Sequence, residues 1–293
     1  MKMRCVIASL LAVPLFACAA PPARAAAVAA ASTAMQAVKR MYVFGNSYSD
    51  IGEGYLDGNG PTAVAYLAQR LGLQLMPAND PAESGQSLDF AISGARTGSG
   101  AGHRLGNALL GYGMRNQVDD FAARVRRHEI EFDAGTTLFI FAGGLNDGKL
   151  PTEETVANLE GEIKTIYSLG GLHFIVALLP TAIPDFSAVG ARLDPALAGI
   201  PAELNAQLAG AQVNLSQWGS FYDEVMRHPA KYGITDTEDQ CAGRAIFHQD
   251  SSPCVSPSTH FYYHHGHPST AVHKIVGGML YGEVMELEKQ GRL

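Results

Sequence analysis

The chain has 293 residues, of which 47% are apolar and 17% are charged. This length and apolar content are enough for the core of one large domain, and they exclude intrinsic disorder as a description of the whole chain. The 21 Lys and Arg residues against 28 Asp and Glu residues give a net charge of −7. Because nucleic-acid-binding proteins usually carry a basic surplus, this balance argues against a nucleic-acid partner.

Residues 1–25 have the pattern of a secretory signal peptide. Lys2 and Arg4 precede an apolar run, and an A-x-A cleavage site ends at Ala25. A second interpretation is a bacterial lipoprotein signal whose box ends at Cys18. Both interpretations predict a secreted or periplasmic protein, free in the first case and lipid-anchored in the second. No later apolar run is long enough to predict a transmembrane helix.

An alanine-rich leader follows over residues 26–39, and residues 40–293 are predicted to form a single domain. Removal of the signal peptide leaves two cysteines, Cys241 and Cys254. In an oxidising compartment these cysteines are expected to form a disulfide, whose short loop stabilises the fold by about 3 kcal/mol. The alternative is a pair of free thiols.

Short apolar runs alternate along the chain with stretches of helical periodicity. The predicted strands are residues 40–44, 138–142 and 174–179, and the predicted helices are residues 61–71, 118–125, 156–166, 201–215 and 268–288. Runs such as residues 138–142 are apolar throughout, as strands covered on both faces must be. The alternation predicts an α/β fold with a mostly parallel sheet and helices on both faces.

Polar residues that follow the strands are the first candidates for chemistry, because ligands of parallel sheets bind at the carboxyl ends of the strands. Ser47 follows the first strand in a turn where its hydroxyl and its backbone N–H suit a nucleophile that generates an oxyanion. The alternative is an ordinary helix cap. Gly94 lies in a second polar segment, either as a backbone donor close to a ligand or in an ordinary turn.

Two further polar segments complete the set of candidates. Asn146 follows the strand at residues 138–142, where its amide can donate to a developing negative charge or stabilise a turn. His267 precedes Pro268, which suits the first position of the final helix. From there the imidazole can reach a serine at another strand end and act as a general base. The alternative is a surface histidine that caps a helix.

In this order, the four segments resemble the sequence blocks of the SGNH (GDSL-type) esterase/lipase superfamily. The segment GNSYS around Ser47 is similar to the first block, Gly-Asp-Ser-Leu-Ser, and AISGA around Gly94 is similar to the second. GLND around Asn146 matches the third block, and His267 matches the base of the last. The resemblance covers residues 41–285 and implies a three-layer α/β/α sandwich, with a serine nucleophile, two oxyanion donors and a histidine base at these four positions.

Smaller similarities indicate the branch of this superfamily that includes bacterial phospholipases, hemolysins and plant-type lipases. Asn205 matches a recurring Asn-x-x-Leu helix start, and residues 228–234 resemble an Asn-Pro-x-x-Tyr-Gly-Phe segment of that branch. Cys241 and Cys254 lie where its late cysteine pair usually lies.

Two residues depart from the family pattern. Asn46 stands where the first block has an aspartate, so the shape is kept and the charge is lost. His264, three residues before His267, stands at the position of the triad aspartate. Because replacing this acid costs a Ser-His-Asp triad about 10⁴-fold in kcat, a substitute is expected. The substitute is a backbone carbonyl, a carboxylate from another segment such as Asp250, or a bound anion.

The predicted activity is hydrolysis of carboxylic esters through an acyl-enzyme on Ser47, without a metal or an organic cofactor. The partner is then an ester or lipid substrate, with transient contact to a membrane surface and no stable protein partner. Residues 98–113 and 181–199 are candidate borders of the substrate pocket. One alternative is a catalytically silent relative that binds a lipid or a cell-envelope glycan, which the histidine at position 264 favours.

A further alternative is a metal-dependent hydrolase. Five histidines lie within fourteen residues, at His260, His264, His265, His267 and His273, and histidine is a common metal ligand. However, no carboxylate or cysteine in this segment has a familiar ligand spacing, which weakens this interpretation.

Overall fold

The structure is a computed structural model that describes residues 37–80 and 85–293. The predicted signal peptide, the alternative lipoprotein cysteine Cys18 and most of the predicted leader lie outside the described residues. All described residues belong to one compact unit, Ala31–Leu293.

The elements of the described residues follow one another in an alternating order. The strands are β1 (Arg40–Gly45), β2 (Leu75–Pro77), β3 (Ser87–Asp89), β4 (Ala101–Leu105), β5 (Ala108–Tyr112), β6 (Thr137–Ala142), β7 (His173–Ala177), β8 (Gln212–Ser216), β9 (Asp236–Gln240), β10 (His260–His264) and β11 (His267–Pro268). The helices are α1 (Ala63–Arg70), α2 (Met114–Arg126), α3 (Thr152–Ser168), α4 (Pro184–Leu197), α5 (Ile200–Gln207), α6 (Trp218–Arg227) and α7 (Thr270–Lys289).

The central sheet has six strands in the order β2-β3-β1-β6-β7-β8. All its neighbouring strands are parallel. Every residue of β6 and β7 is buried, which requires cover on both faces of the sheet. The helices supply this cover in two groups: α7 packs against α1 and α6, and α3 packs against α2, α4 and α5. The predicted α/β fold with a mostly parallel sheet and two helical layers is confirmed.

Aromatic side chains form the core on one face of β1 and β6. Tyr42 and Phe139 are direct neighbours in the strand register, as are Phe44 and Phe141. Their rings stack at centroid distances of 5.6 and 5.3 Å, respectively. Phe121 of α2 packs edge-on against Phe44 at 5.7 Å and so fixes the helix to this face. Each such pair contributes about 1 kcal/mol beyond its area burial, so these contacts hold the strands in register.

Strand β1 lies at the point where the strand order reverses. The chain runs from β1 to β2 and β3 on one side, and from β6 to β7 and β8 on the other. Open parallel sheets bind ligands at such a switch point, in the crevice beyond the carboxyl ends of the two strands. Here the crevice lies between the ends of the two strands, Gly45 and Ala142. Ser47 comes two residues after Gly45, and Asn146 comes four residues after Ala142.

The helix predicted at residues 201–215 is wrong in its second half. The helix α5 ends at Gln207, and the strand β8 occupies Gln212–Ser216. The amide of Asn205 donates to Val213 O at 2.9 Å and accepts from Val213 N at 2.8 Å. Asn205 therefore lies inside α5, and its side chain bonds the helix to the backbone of β8. The segment at residues 181–199, predicted as a pocket border, contains the helix α4.

The start of the final helix also differs from the prediction. The helix α7 begins at Thr270 and is capped by Ser269, whose hydroxyl accepts from Val272 N. Pro268 belongs to β11, which pairs with β10 in antiparallel orientation. The hydroxyl of Ser269 also donates to His260 O at 2.7 Å, so the cap is fixed by the strand that precedes it. His267 therefore lies in a short strand rather than at a helix end.

The predicted disulfide joins Cys241 to Cys254 and is confirmed. The bond closes a segment that follows β9, and Cys254 N also donates to Cys241 O at 2.8 Å. This closed segment carries Arg244, which contacts the candidate site. Within the residues that the structure describes, no helix is both long and apolar enough to cross a membrane.

The carboxyl end of β1 is held by Gln117 of α2. Its side chain accepts from Gly45 N at 3.0 Å and donates to Gly45 O at 2.9 Å and Tyr112 O at 3.2 Å. Gln117 is 1% exposed, so water cannot replace these bonds. The residue thereby fixes the strand end two residues before Ser47.

Replacing Gln117 by Met keeps the side-chain length and removes all three hydrogen bonds. We expect the free energy of unfolding in urea to fall by about 2 kcal/mol, because buried backbone groups lose their partner. The matched control is Gln69→Met on the exposed face of α1, where a change below about 0.5 kcal/mol is expected. Equal effects of the two variants would contradict the role of Gln117.

Candidate active site

Ser47 lies in a tight turn directly after β1 and is 8% exposed. Asn46 holds this turn: its amide donates to Ala142 O at 3.0 Å and accepts from Tyr48 N at 3.1 Å. A carboxylate has no hydrogen to donate to Ala142 O. Asn46 therefore fixes the turn of Ser47 to the end of β6.

The segment around Gly94 lies beside this turn. Ile92 N donates to Gly45 O at 3.2 Å, and Ser93 N donates to Asp50 Oδ2 at 2.7 Å. Asp50 is fully buried, and burial raises its pKa to about 6 although four backbone N–H groups lower it. Gly94 has φ +80°, a left-handed conformation that favours glycine, and it is exposed. Its segment thus lies beside the turn of Ser47, at the carboxyl end of β1.

Asn146 is tied to the same segment. Its amide donates to Ala95 O at 2.8 Å, which uses one of its two N–H donors and orients the other. The adjacent Asp147 is fully buried and accepts from Thr97 N at 3.2 Å and Thr155 Oγ1 at 2.9 Å. These bonds hold the segments of Gly94 and Asn146 together at the carboxyl ends of the strands.

His267 meets Ser47 although 220 positions separate them. The distance between His267 Nε2 and Ser47 Oγ is 2.7 Å, which is hydrogen-bond distance for a nucleophile and its base. A second bond couples the two segments, since Tyr48 donates its hydroxyl to Gly266 O at 2.9 Å. The neighbours of the serine and of the histidine are therefore bonded to each other as well.

Two groups contact the other ring nitrogen of His267. The carbonyl oxygen of His265 lies 2.9 Å from Nδ1, and the guanidinium Nη2 of Arg244 lies 2.6 Å from it. The carbonyl accepts only from a protonated Nδ1, whereas the guanidinium donates only to an unprotonated one. The two contacts therefore correspond to the two neutral tautomers of the imidazole.

A carboxylate absent from the sequence expectations lies next to this histidine. Asp57 Oδ2 is 3.3 Å from His267 Nε2, and Asp57 Oδ1 is 2.7 Å from His264 Nδ1. Arg244 Nε donates to Asp57 Oδ1 at 2.8 Å. Asp250, the carboxylate suggested by sequence proximity, instead accepts from Ser252 N at the surface. His264, at the position of the family acid, is thus a partner of the acid that lies in the site.

The charges of this cluster shift the pKa values of both groups. Burial raises the pKa of Asp57. The hydrogen bond from His264, the charge of His267 and the hydrogen bond from Arg244 together outweigh burial and lower the pKa to about 2. Burial is the largest cause that lowers the pKa of His267. The Asp57 charge opposes this shift, whereas the Arg244 charge adds to it. At neutral pH, Asp57 is ionised and His267 is neutral, as a general base must be.

His273, another of the five histidines in the segment from His260 to His273, contacts a different set of residues. His273 is 3% exposed, and its Nδ1 lies 2.8 Å from the Tyr222 hydroxyl and accepts from Ala63 N. Burial lowers the pKa of His273 to about 3, so it is neutral and structural. Over residues 37–80 and 85–293, no three His, Cys, Asp or Glu side chains are grouped as ligands of one metal ion.

The chain matches no family model. It is 29% identical over 93 residues to a GDSL esterase/lipase of Arabidopsis thaliana, a match that covers 29% of this chain and 25% of that protein. The match thus spans a quarter of the length of the curated relative, and it supports the resemblance to GDSL-type lipolytic proteins.

Two solved structures are similar to this chain over most of its length, at low identity. A member of the lipolytic G-D-S-L family from Veillonella parvula is 12% identical, with a TM-score of 0.46, over 85% of this chain and 97% of that chain. A family 3 carbohydrate esterase from Clostridium thermocellum is 14% identical, with a TM-score of 0.43, over 86% and 97%.

The low pKa of Asp57 links the stability of the protein to pH. A carboxylate with a pKa of about 2 in the folded protein and about 3.9 in the unfolded chain stabilises the fold above the unfolded value. This contribution is lost as the pH falls through the folded value. We expect Asp57→Asn to lower the free energy of unfolding on the order of 2 kcal/mol at neutral pH, and by about half as much at about pH 3.

Urea unfolding of both proteins between about pH 3 and pH 7 measures this difference. The control is Asp119→Asn, which removes an exposed carboxylate of α2. If the free energy of unfolding differed between wild type and Asp57→Asn by the same amount at every pH, the charge of Asp57 would have no stabilising partner.

Proposed function

We propose that this protein is a serine hydrolase of carboxylic esters, with Ser47 as nucleophile and His267 as general base. The observation that carries the proposal is the 2.7 Å contact between Ser47 Oγ and His267 Nε2, at the switch point of a parallel sheet. The match to a GDSL esterase/lipase supports the ester as the substrate.

Acylation begins from the tautomer in which Nδ1 of His267 carries the proton and donates a hydrogen bond to His265 O. The free Nε2 then takes the proton of Ser47 Oγ while this oxygen forms a bond to the ester carbonyl carbon. The negative charge moves to the carbonyl oxygen. The backbone N–H groups of Ser47 and Gly94 and the second N–H of Asn146 are its donors, and losing one such donor costs about 3 kcal/mol.

Collapse of this intermediate breaks the bond between the carbonyl carbon and the alcohol oxygen. His267 gives the proton from Nε2 to the departing alcohol, and the acyl group stays on Ser47. Water then repeats the sequence: it loses a proton to His267, attacks the acyl carbon and releases the carboxylic acid. The proton returns to Ser47 Oγ, so the cycle closes without a cofactor.

Asp57 supplies the negative charge that the family places three residues before the base. His267 becomes cationic in both steps, and a carboxylate at 3.3 Å from Nε2 stabilises this cation. The orientation of the ring comes from a different group, the carbonyl of His265 at Nδ1. The two tasks of the usual triad acid are thus divided between a side chain and the backbone.

Export to the periplasm or the medium belongs to the same proposal. The Cys241–Cys254 disulfide supports an oxidising compartment. The substrate is an ester or a lipid, with transient contact to a membrane surface as a further part of the proposal. Membership of the phospholipase and hemolysin branch stays a prediction from Asn205 and residues 228–234.

Ser47→Ala is expected to abolish hydrolysis of 4-nitrophenyl acetate and covalent labelling by a fluorophosphonate, because the attacking oxygen is missing. The matched control is Ser49→Ala, which removes a buried hydroxyl without a partner among the described residues. The control is expected to keep both activities. Labelling that survives in Ser47→Ala would contradict the role of Ser47.

Asp57→Asn is expected to lower kcat on the order of 10²-fold. This is less than the ~10⁴-fold loss for an acid bonded to Nδ1, because the His265 carbonyl still orients the ring. Since the Asp57 charge raises the pKa of His267, the acid limb of the kcat/KM profile should move to lower pH. Asp250→Asn should change neither quantity. An unchanged profile in Asp57→Asn would remove Asp57 from the mechanism.

One contact favours the second candidate function, a catalytically silent protein that binds an ester. The guanidinium of Arg244 at 2.6 Å from Nδ1 stands where a triad has its acid, and it disfavours the imidazolium. Absence of turnover of short nitrophenyl esters by folded wild-type protein, between about pH 5 and pH 9, would support this candidate over the hydrolase.

A further inference from the structure

The side chain of Asp50 lies at a junction of three segments beside the candidate nucleophile. Asp50 comes three residues after that serine and is fully buried. Its Oδ1 accepts from Gly52 N at 2.9 Å and from Gly54 N at 3.2 Å. Its Oδ2 accepts from Tyr55 N at 2.8 Å and from Ser93 N at 2.7 Å. Each oxygen of this carboxylate therefore binds two backbone N–H groups.

The two segments that Asp50 holds each lead to a residue of the proposed mechanism. Tyr55 comes two residues before Asp57, the carboxylate beside the candidate base. Ser93 directly precedes Gly94, whose backbone N–H is a proposed oxyanion donor. The hydroxyl of Ser93 also donates to Tyr55 O at 2.7 Å, so the two segments are bonded to each other as well as to Asp50.

Close packing limits how far this junction can move. A Cβ on Gly54 would lie 2.5 Å from Leu109 O and 3.0 Å from Asp50 Oδ2, so the loop reaches both only because this residue is glycine. Gly54 O accepts from Leu109 N at 3.2 Å, and Ser93 O accepts from Gly111 N at 2.8 Å. The strand β5 therefore binds both segments from the side opposite the carboxylate.

We propose that Asp50 is a positioning residue, which sets the oxyanion donor Gly94 and the carboxylate of Asp57 relative to Ser47. This inference rests on the proposed function and adds to it a residue that does not touch the substrate. Backbone N–H groups occupy both carboxylate oxygens and the side chain is fully buried, so Asp50 acts through the segments it holds. Since misplacing a reacting group by about 1 Å can cost ~10²-fold in rate, this junction supports catalysis through geometry.

The competing interpretation is an aspartate that only stabilises a turn. The bonds to Gly52 and Gly54 fit that role, because Asp and Asn side chains often accept from N–H groups shortly after them. The bond to Ser93 does not fit it, because it joins segments 43 positions apart. Burial also raises the pKa of Asp50 to about 6, although four backbone N–H groups lower it. An uncharged asparagine would stabilise a turn without the cost of a buried charge.

The kinetic test uses Asp50→Asn, assayed at about pH 8, where the wild-type carboxylate is ionised. The amide offers one oxygen to the N–H donors and turns an NH₂ group towards the others. With 4-nitrophenyl acetate we expect kcat to fall on the order of 10²-fold, while KM stays within about threefold. In the Asp57→Asn background the same change should lower kcat only about tenfold, because part of its effect acts through Asp57.

The matched control is Asp223→Asn. Asp223 is 2% exposed and likewise accepts from the backbone of a loop, with Thr181 N at 2.9 Å and Ala182 N at 2.8 Å. This loop follows β7 and contains neither segment of the junction. The kcat of the control should stay within about twofold of wild type. Equal losses in Asp50→Asn and Asp223→Asn, or the same loss with and without Asp57, would overturn the inference.

Two further measurements do not need a folded Asp50 variant. Ser93→Ala removes the bond to Tyr55 O and leaves Asp50 intact, and we expect kcat to fall roughly fivefold at unchanged KM. In wild type, the amides of Ser93 and Tyr55 should exchange as slowly as those of β6 in NMR spectra. If wild-type protein hydrolyses no ester, the proposed function fails, and amide exchange still decides whether Asp50 holds both segments. Fast exchange of both amides, or unchanged kcat in Ser93→Ala, overturns the inference.

Discussion

The site depends on one constraint, the position of β1 in the centre of the sheet with its carboxyl end fixed. Strands on both sides hold β1 in register, and Gln117 and Asn46 bond the backbone where the strand ends. Because the turn that follows cannot move independently, Ser47 keeps a defined direction relative to the neighbouring strand ends. The bond from Tyr48 to Gly266 then transmits this fixed geometry to the segment of the base.

A single buried carboxylate organises the charges around this frame. Asp57 bonds Arg244 and His264 and lies near His267, with its side chain 9% exposed. Burial of a carboxylate is costly unless it is paired, so these partners are needed for the loop of Asp57 to close on the site. This explains the histidine at position 264. The side chain at this position is a hydrogen-bond partner of a carboxylate that comes from another loop.

Features coded by local patterns were predictable from the sequence, and features that depend on distant contacts were not. The strand ending at Gly45 follows from its apolar run. The meeting of Ser47 and His267 was implied by the resemblance of their segments to the SGNH sequence blocks. Asp57 lies in a Gly-rich stretch typical of a turn, and its partners lie about 200 positions away. The end of α5 was missed for the same reason. The predicted helix at residues 201–215 included most of β8, the strand to which the amide of Asn205 is bonded.

Arg244 has two opposing effects on the site. Its charge pairs with Asp57 and so permits a buried carboxylate beside His267, but it also lowers the pKa of His267 and competes for Nδ1. The residue reaches the site from the segment closed by the Cys241–Cys254 disulfide, which limits how far it can withdraw. The tautomer of His267 therefore depends on the balance between the His265 carbonyl and the guanidinium at Nδ1. Because that balance depends on Asp57 holding Arg244, the carboxylate influences both nitrogens of the ring while it contacts only one.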